Sequence, residues 1–259
     1  MKIAVTGKGG VGKSTIAAGL AITYAGRGAR VLALDADPDY NLASALGVPR
    51  DVQESIIPIS RQIALIEERT GAVVSQYGQV FKLNPEVSDV ADKYAFTWRD
   101  ISLLVLGAVK SGGGGCACPE NTFAKALVTS LVLFRDDTLI MDMEAGIEHL
   151  GRGTAKGVDV MLIVVEPGQR SVDCARTILR MAREIGLTRL LLIGNKSTGD
   201  ADEAFLRDAF PDETFLMILP YAEDVRNADR DGVTALDAPG TNLRQAFSTL
   251  ADKLDARRG

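Results

Sequence analysis

Residues 7–14 constrain the fold of this chain more than any other feature. Gly7-Lys8-Gly9-Gly10-Val11-Gly12-Lys13-Ser14 fits the pattern G-x-x-x-x-G-K-[ST]. It follows a short apolar run, Ile3–Thr6, and opens a helical pattern over Lys13–Ala25 that stops near Gly26 and Gly28. A strand, a glycine turn and a helix start, in that order, make a phosphate cradle. The glycines let backbone N–H groups curl round an anion, and the helix N-terminus adds a favourable dipole. In such a cradle Gly9, Gly10, Val11 and Gly12 line the nucleotide phosphates and Lys13 reaches the β- and γ-phosphates. Ser14 offers its hydroxyl to Mg²⁺, and Thr15 bonds the α-phosphate.

The rest of the chain suits that start. Further apolar runs at Arg30–Leu34, Leu139–Met141, Val160–Val165 and Leu190–Ile193 read as buried strands. Helical patterns lie near 169–185, 201–210 and 222–231. This alternation predicts an α/β fold: a doubly wound, mostly parallel sheet with helices on both faces. Residues 50–110 fit it less well, because they hold proline, charged residues and a Tyr/Trp patch; they predict an insertion of extra helices and a strand. With no linker visible, 1–259 reads as one domain. Leu243, Phe247, Leu250 and Leu254 space a terminal helix within 240–257. Its polar face mixes acids and bases, so it is expected to pack on the domain rather than on a membrane surface, which favours Lys/Arg.

Charge narrows the partners. The chain has 29 basic and 34 acidic side chains, a net charge of −5. A nucleic-acid binder usually shows a strong positive excess, so none is expected as partner. No run approaches the roughly 18 apolar residues of a membrane span. The first residues read as a strand rather than a signal peptide, which places the protein in the cytoplasm, with reduced thiols and no membrane partner.

Two strands end in acids. Asp35-Ala36-Asp37-Pro38-Asp39 follows the second strand, and a carboxylate there faces the ligand crevice of a doubly wound sheet. Thr138–Met141 leads into Asp142, with Gly146 four residues on. In this D-x-x-x-G pattern Asp142 holds Mg²⁺ through water and the Gly146 N–H senses the γ-phosphate. Another strand runs into Asn195-Lys196, and Pro220-Tyr221 follows the next, placed to line a base pocket.

The cysteines form the second cluster. Of 3 Cys, too few for a disulfide scaffold, two lie in Gly112-Gly113-Gly114-Gly115-Cys116-Ala117-Cys118-Pro119-Glu120. Pro119 suits the first position of a helix and Glu120 its first turn. The helix is predicted to run to Phe134 with Cys118 as N-cap, where the dipole lowers thiol pKa and favours thiolate. Two thiolates at i and i+2 cannot fill a metal site alone. A twofold dimer doubles them to four, which suits tetrahedral Zn²⁺, or Ni²⁺ if the site flattens. Cys174 falls in a helical pattern and reads as packing.

Lys8 makes the loop K-G-G-V-G-K-S, which resembles the deviant Walker A class of P-loop ATPases. That class includes MinD, the partition ATPases and the nitrogenase iron protein. The resemblance implies ATP and ADP as ligands, an ATP-dependent homodimer, and a Lys8 that reaches across it to the partner's phosphates. It also implies that Asp37 positions the attacking water, that Asp35 supports the Mg²⁺ shell, and that Asn195 bonds the adenine edge. With D-A-D-P-D, L-N-P-E-V at 83–87, C-A-C-P-E-N and residues 141–156 added, the whole chain resembles the CooC-type carbon monoxide dehydrogenase maturation ATPases. That family implies metal binding by Cys116 and Cys118 and nickel insertion into Ni-dependent CO dehydrogenase or the related acetyl-CoA synthase. The iron protein holds its cluster with a second cysteine near switch II, whereas 142–156 here contains Glu148 and His149 but no Cys. His149 reads as an ordinary polar residue. The alternative is a MinD- or partition-type positioning ATPase acting on membrane or DNA.

Overall fold

The computed structural model describes residues 1–74, 76, 78–108, 118–145, 150–239 and 242–257. In chain order the elements are β1 (Lys2–Gly7), α1 (Lys13–Gly26), β2 (Val31–Ala36), α2 (Leu42–Ala45), α3 (Arg50–Gln53), a 3₁₀ turn at Ile59–Arg61, α4 (Ile63–Thr70) and α5 (Val90–Tyr94). Then come β3 (Phe96–Trp98), β4 (Ile101–Val105), α6 (Pro119–Phe134), β5 (Thr138–Met143), α7 (Arg152–Ala155), β6 (Val160–Val165), α8 (Gln169–Glu184) and β7 (Leu190–Ser197). The chain ends with α9 (Asp200–Ala209), β8 (Phe215–Pro220), α10 (Glu223–Arg230), a 3₁₀ turn at Ala235–Asp237 and α11 (Leu243–Asp255).

The strands form one eight-stranded sheet in the order β3-β4-β2-β5-β1-β6-β7-β8. All neighbours are parallel except β3 and β4. Parallel strands covered on both faces read as continuous apolar runs, and the six residues of β6, VMLIVV, are all buried. One face carries α1 and α11, with Ile16, Leu20, Phe247 and Leu250 in its core. The other carries α6 and α8, with Phe123, Leu127, Ile178 and Leu179. The mostly parallel sheet with helices on both faces is thus the architecture the alternation predicts. Among the described residues no helix is long and apolar enough to cross a membrane.

Residues 50–110 differ from expectation. They supply two strands rather than one, and β4 lies inside the sheet, parallel to β2, with Asp35 in register with Val105. The hairpin between β3 and β4 turns on Arg99 and Asp100 at φ 48° and 61°. A two-residue turn of this hand needs positive φ at both positions and is usually marked by Asn-Gly, so this one carries no glycine signal. β7 also runs further than expected, through Asn195 to Ser197, with a register shift against β8 after Gly194.

The terminal helix packs on the domain through its predicted apolar stripe. Phe247 is 1% exposed, and its ring lies against Gly19 of α1, where a Cβ would collide with three ring atoms. Gly19→Ala is therefore expected to destabilise the fold. Overpacking of about 1–3 kcal/mol outweighs the roughly 1 kcal/mol alanine gains in helix propensity. A lowered urea midpoint, partly restored by adding Phe247→Leu, is the expected result; a midpoint at or above wild type would show that the ring moves aside freely.

Candidate nucleotide site and cysteine helix

The ends of β1, β2, β5, β6 and β7 meet at one edge of the sheet. Pairing sets Val5 and Asp35 opposite Asp142, and Gly7 opposite Val164. The loop leaves β1 at Gly7, where a Cβ would strike the Val164 carbonyl. It re-enters helix at Gly12, whose φ of 99° is a left-handed value that glycine adopts without strain. α1 has no side-chain cap and no acidic residue in its first turn. Its N-terminal N–H groups therefore face the loop, where a phosphate would satisfy them.

Lys13 is 7% exposed and pairs with Asp37, Nζ to Oδ2 at 3.4 Å. Asp37 in turn accepts the Asp39 N–H at 3.0 Å, closing a tight turn. Asp35 is fully buried, and both its oxygens accept backbone N–H groups: Oδ1 from Asp37 at 3.2 Å and Oδ2 from Leu42 at 2.9 Å. It braces the segment that carries Asp37. Burial first, and the Asp142 carboxylate second, push the Asp35 carboxyl up to about 8.

Asp142 is fully buried at the end of β5, and neither carboxylate oxygen has a hydrogen-bond partner. Burial pushes it up to about 6, while the nearby Ser14 hydroxyl and Lys13 ammonium pull the other way. A buried carboxylate without a partner is costly. Set beside the Ser14 hydroxyl, it is an oxygen donor set that fits a hard divalent cation such as Mg²⁺.

The Asp35 shift has a measurable consequence. Unfolded, this carboxyl ionises near about 3.9; folded, it holds its proton to about 8. Between those values the folded state binds a proton that the unfolded state does not, so stability falls as pH rises. The nucleotide-free protein is expected to melt higher at pH 5 than at pH 8, and Asp35→Asn is expected to flatten that slope. Thermal melts with unchanged slope in the variant would contradict this.

A cavity of about 450 Å³ opens beside the loop, lined by Gly10, Gly12, Ser14, Thr15, Asn195 and Pro220-Tyr221 among others. Asn195 Nδ2 donates to the Val11 carbonyl at 2.7 Å, which fixes the amide against the loop and leaves its oxygen free to accept. Lys8 sits on the rim, its side chain 38% exposed, with Nζ 3.6 Å from Glu166 Oε1. Lys196, at φ 58°, places its Nζ 3.1 Å from Glu166 Oε2 and donates to the Gly10 carbonyl. Glu166 and Lys196 were not singled out from the sequence as functional. An apolar strand ending in an acid, the signal that marked Asp142, is also present at Val160–Glu166.

α6 begins at Pro119 with Cys118 as N-cap and ends at Phe134, as expected. The expected lowering of the thiol pKa is corrected: the Cys118 thiol is pushed up. Burial dominates, and the Glu120 carboxylate beside it adds to the effect. Cys116, Gly146, Glu148 and His149 lie outside the described residues. Among the described residues no cluster of three or more His, Cys, Asp or Glu could hold a metal. Cys174 is half-buried and packs against the α6/α8 face of the core.

Residues 2–235 match the family model for the CobQ/CobB/MinD/ParA nucleotide binding domain. The chain is 41% identical over 255 residues to the carbon monoxide dehydrogenase accessory protein CooC of Rhodospirillum rubrum, covering 98% of this chain and 97% of that one. It is 44% identical over 228 residues to an uncharacterized ATP-binding protein of Methanocaldococcus jannaschii, covering 87% of each. The MinD cell division protein of Aquifex aeolicus shares the fold, with a TM-score of 0.68 and 20% identity over 99% of this chain and 98% of that one.

Proposed function

This chain belongs to the CobQ/CobB/MinD/ParA family of P-loop nucleotide-binding ATPases, in its CooC-type branch, and from that premise we propose that it is an ATP-gated metallochaperone for a nickel enzyme. ATP closes a homodimer, closure joins two Cys116/Cys118 pairs around one Ni²⁺ or Zn²⁺, and hydrolysis reopens the dimer and releases the metal. The client is Ni-dependent CO dehydrogenase or the related acetyl-CoA synthase. The observation that carries the reading is the presence in one chain of Lys8 on the rim of a phosphate loop and Cys118 at the start of α6.

The chemistry follows from the arrangement. The loop N–H groups of Gly9 to Gly12 and the start of α1 cradle the phosphates. Lys13 and Thr15 bond them, and Asn195 takes the adenine edge. Ser14 and Asp142 would hold Mg²⁺, which neutralises charge on the β- and γ-phosphates when bound. Lys13 is paired with Asp37 before nucleotide arrives. A γ-phosphate competes for that ammonium and frees the Asp37 carboxylate to orient the attacking water. Asp35 supports the site from behind by fixing the Asp37 backbone. Lys8 from the partner supplies the last positive charge to the transferring phosphoryl group, the part an arginine finger plays elsewhere.

The test is reconstitution. Nickel-free client enzyme, limiting Ni²⁺, this protein and Mg-ATP are mixed, and CO oxidation or acetyl-CoA synthesis is followed. Activation that requires both ATP and the chaperone is expected. Activation at the same rate with a non-hydrolysable ATP analogue, or without the protein, would refute the reading.

A further inference from the structure

Glu166 joins two lysines over the phosphate loop. It follows β6, and its backbone N–H donates to Ser171 Oγ at the start of α8 at 3.1 Å, so its position is held from both sides. Its two carboxylate oxygens divide their work, Oε1 facing Lys8 at 3.6 Å and Oε2 facing Lys196 at 3.1 Å. Lys196 also grips the Gly10 carbonyl, so the carboxylate is anchored to the loop it overlies. Side-chain exposures of 38%, 25% and 40% for Lys8, Glu166 and Lys196 place the bridge on the surface of the loop. To reach a partner's phosphates the Lys8 ammonium must swing away from its own loop, and that movement gives up the 3.6 Å contact with Glu166.

We propose that Glu166 is a positioning residue for hydrolysis: it holds Lys8 on its own protomer's loop, braced by Lys196, and releases it only to the phosphates of a docked, nucleotide-loaded partner. It thereby sets the protein concentration at which hydrolysis switches on. This rests on the reading that Lys8 acts across the dimer. Glu166→Gln keeps the shape and removes the charge, so the undimerised state loses a restraint that closure must otherwise break. Two such pairs break per twofold dimer, and each exposed pair is worth little, so the expected shift is on the order of three- to ten-fold.

The experiment measures hydrolysis per chain against protein concentration, and ATP-analogue-dependent dimerisation by sedimentation, for the full chain. Wild type, Glu166→Gln, Glu166→Asp, Lys8→Ala and Lys8→Ala/Glu166→Gln are compared. The half-maximal concentration should fall three- to ten-fold in Glu166→Gln and by less in Glu166→Asp, which keeps the charge on a shorter arm. In the Lys8→Ala background, Glu166→Gln should not shift dimerisation, a silence that a merely structural role would not produce. An unchanged or raised midpoint in Glu166→Gln, or an equal shift without Lys8, overturns the proposal. If Lys8→Ala alone dimerises and hydrolyses like wild type, the cross-dimer role itself is wrong, a failure distinguishable from that of Glu166.

Discussion

Lys8→Ala is expected to lower ATP hydrolysis by about 10³-fold, the lower end of what removing a trans cation costs in related phosphoryl transfer. The variant is expected to fold, and a single chain to bind nucleotide. Lys8 is partly exposed on the loop and pairs with the Glu166 carboxylate, which Lys196 also neutralises, so its loss leaves no unpaired buried charge behind. Lys13→Ala behaves differently. Lys13 is buried against Asp37, and truncating it strands that carboxylate as well as removing the phosphate contact. Lys13→Ala is expected to lose nucleotide binding and hydrolysis together, whereas Lys8→Ala separates the two. Nucleotide titration beside steady-state hydrolysis decides it: equal loss of binding in both variants would place Lys8 inside its own site rather than its partner's.

Cys116→Ser or Cys118→Ser is expected to lower metal affinity by on the order of 10³-fold or more. In the proposed dimer, twofold symmetry would remove two of four thiolates with one substitution, roughly half of a binding energy that is large for such sites. The raised Cys118 thiol gives this prediction a pH signature. Metal must displace a proton that the apo protein holds firmly, so affinity climbs with pH until the thiol pKa is passed. Hydrolysis by the serine variants should persist, because Cys118 is not among the residues lining the cavity beside the loop. Equilibrium competition with a colorimetric chelator from pH 6 to pH 9 measures both effects. Flat affinity across that range would remove Cys118 from the ligand set.

The parts legible in the sequence are those written locally. The strand–loop–helix of residues 7–14 carries its own backbone logic, and Pro119 announced the start of α6 and the cap at Cys118. Features assembled from distant segments were not legible. Lys8, Glu166 and Lys196 meet only because β1, β6 and β7 are neighbours in the sheet. The Arg99-Asp100 hairpin was hidden because its turn residues are not those that usually take positive φ. The Cys118 thiol departs from the expected sign because the helix dipole can be read from sequence, while burial, the dominant cause, acts only in the fold. Asp35 also accepts the Asp37 and Leu42 N–H groups, a detail of loop path that residue spacing does not encode.

The central claim is that ATP assembles one metal site from two chains. Native mass spectrometry of the full chain, with limiting Ni²⁺ or Zn²⁺ and either no nucleotide, ADP or a non-hydrolysable ATP analogue with Mg²⁺, counts metals and chains in the same particle. The account predicts one metal per two chains with the ATP analogue, little without it, and none in the Cys116→Ser/Cys118→Ser double variant. One metal per single chain irrespective of nucleotide, or undiminished metal in the double variant, would contradict it.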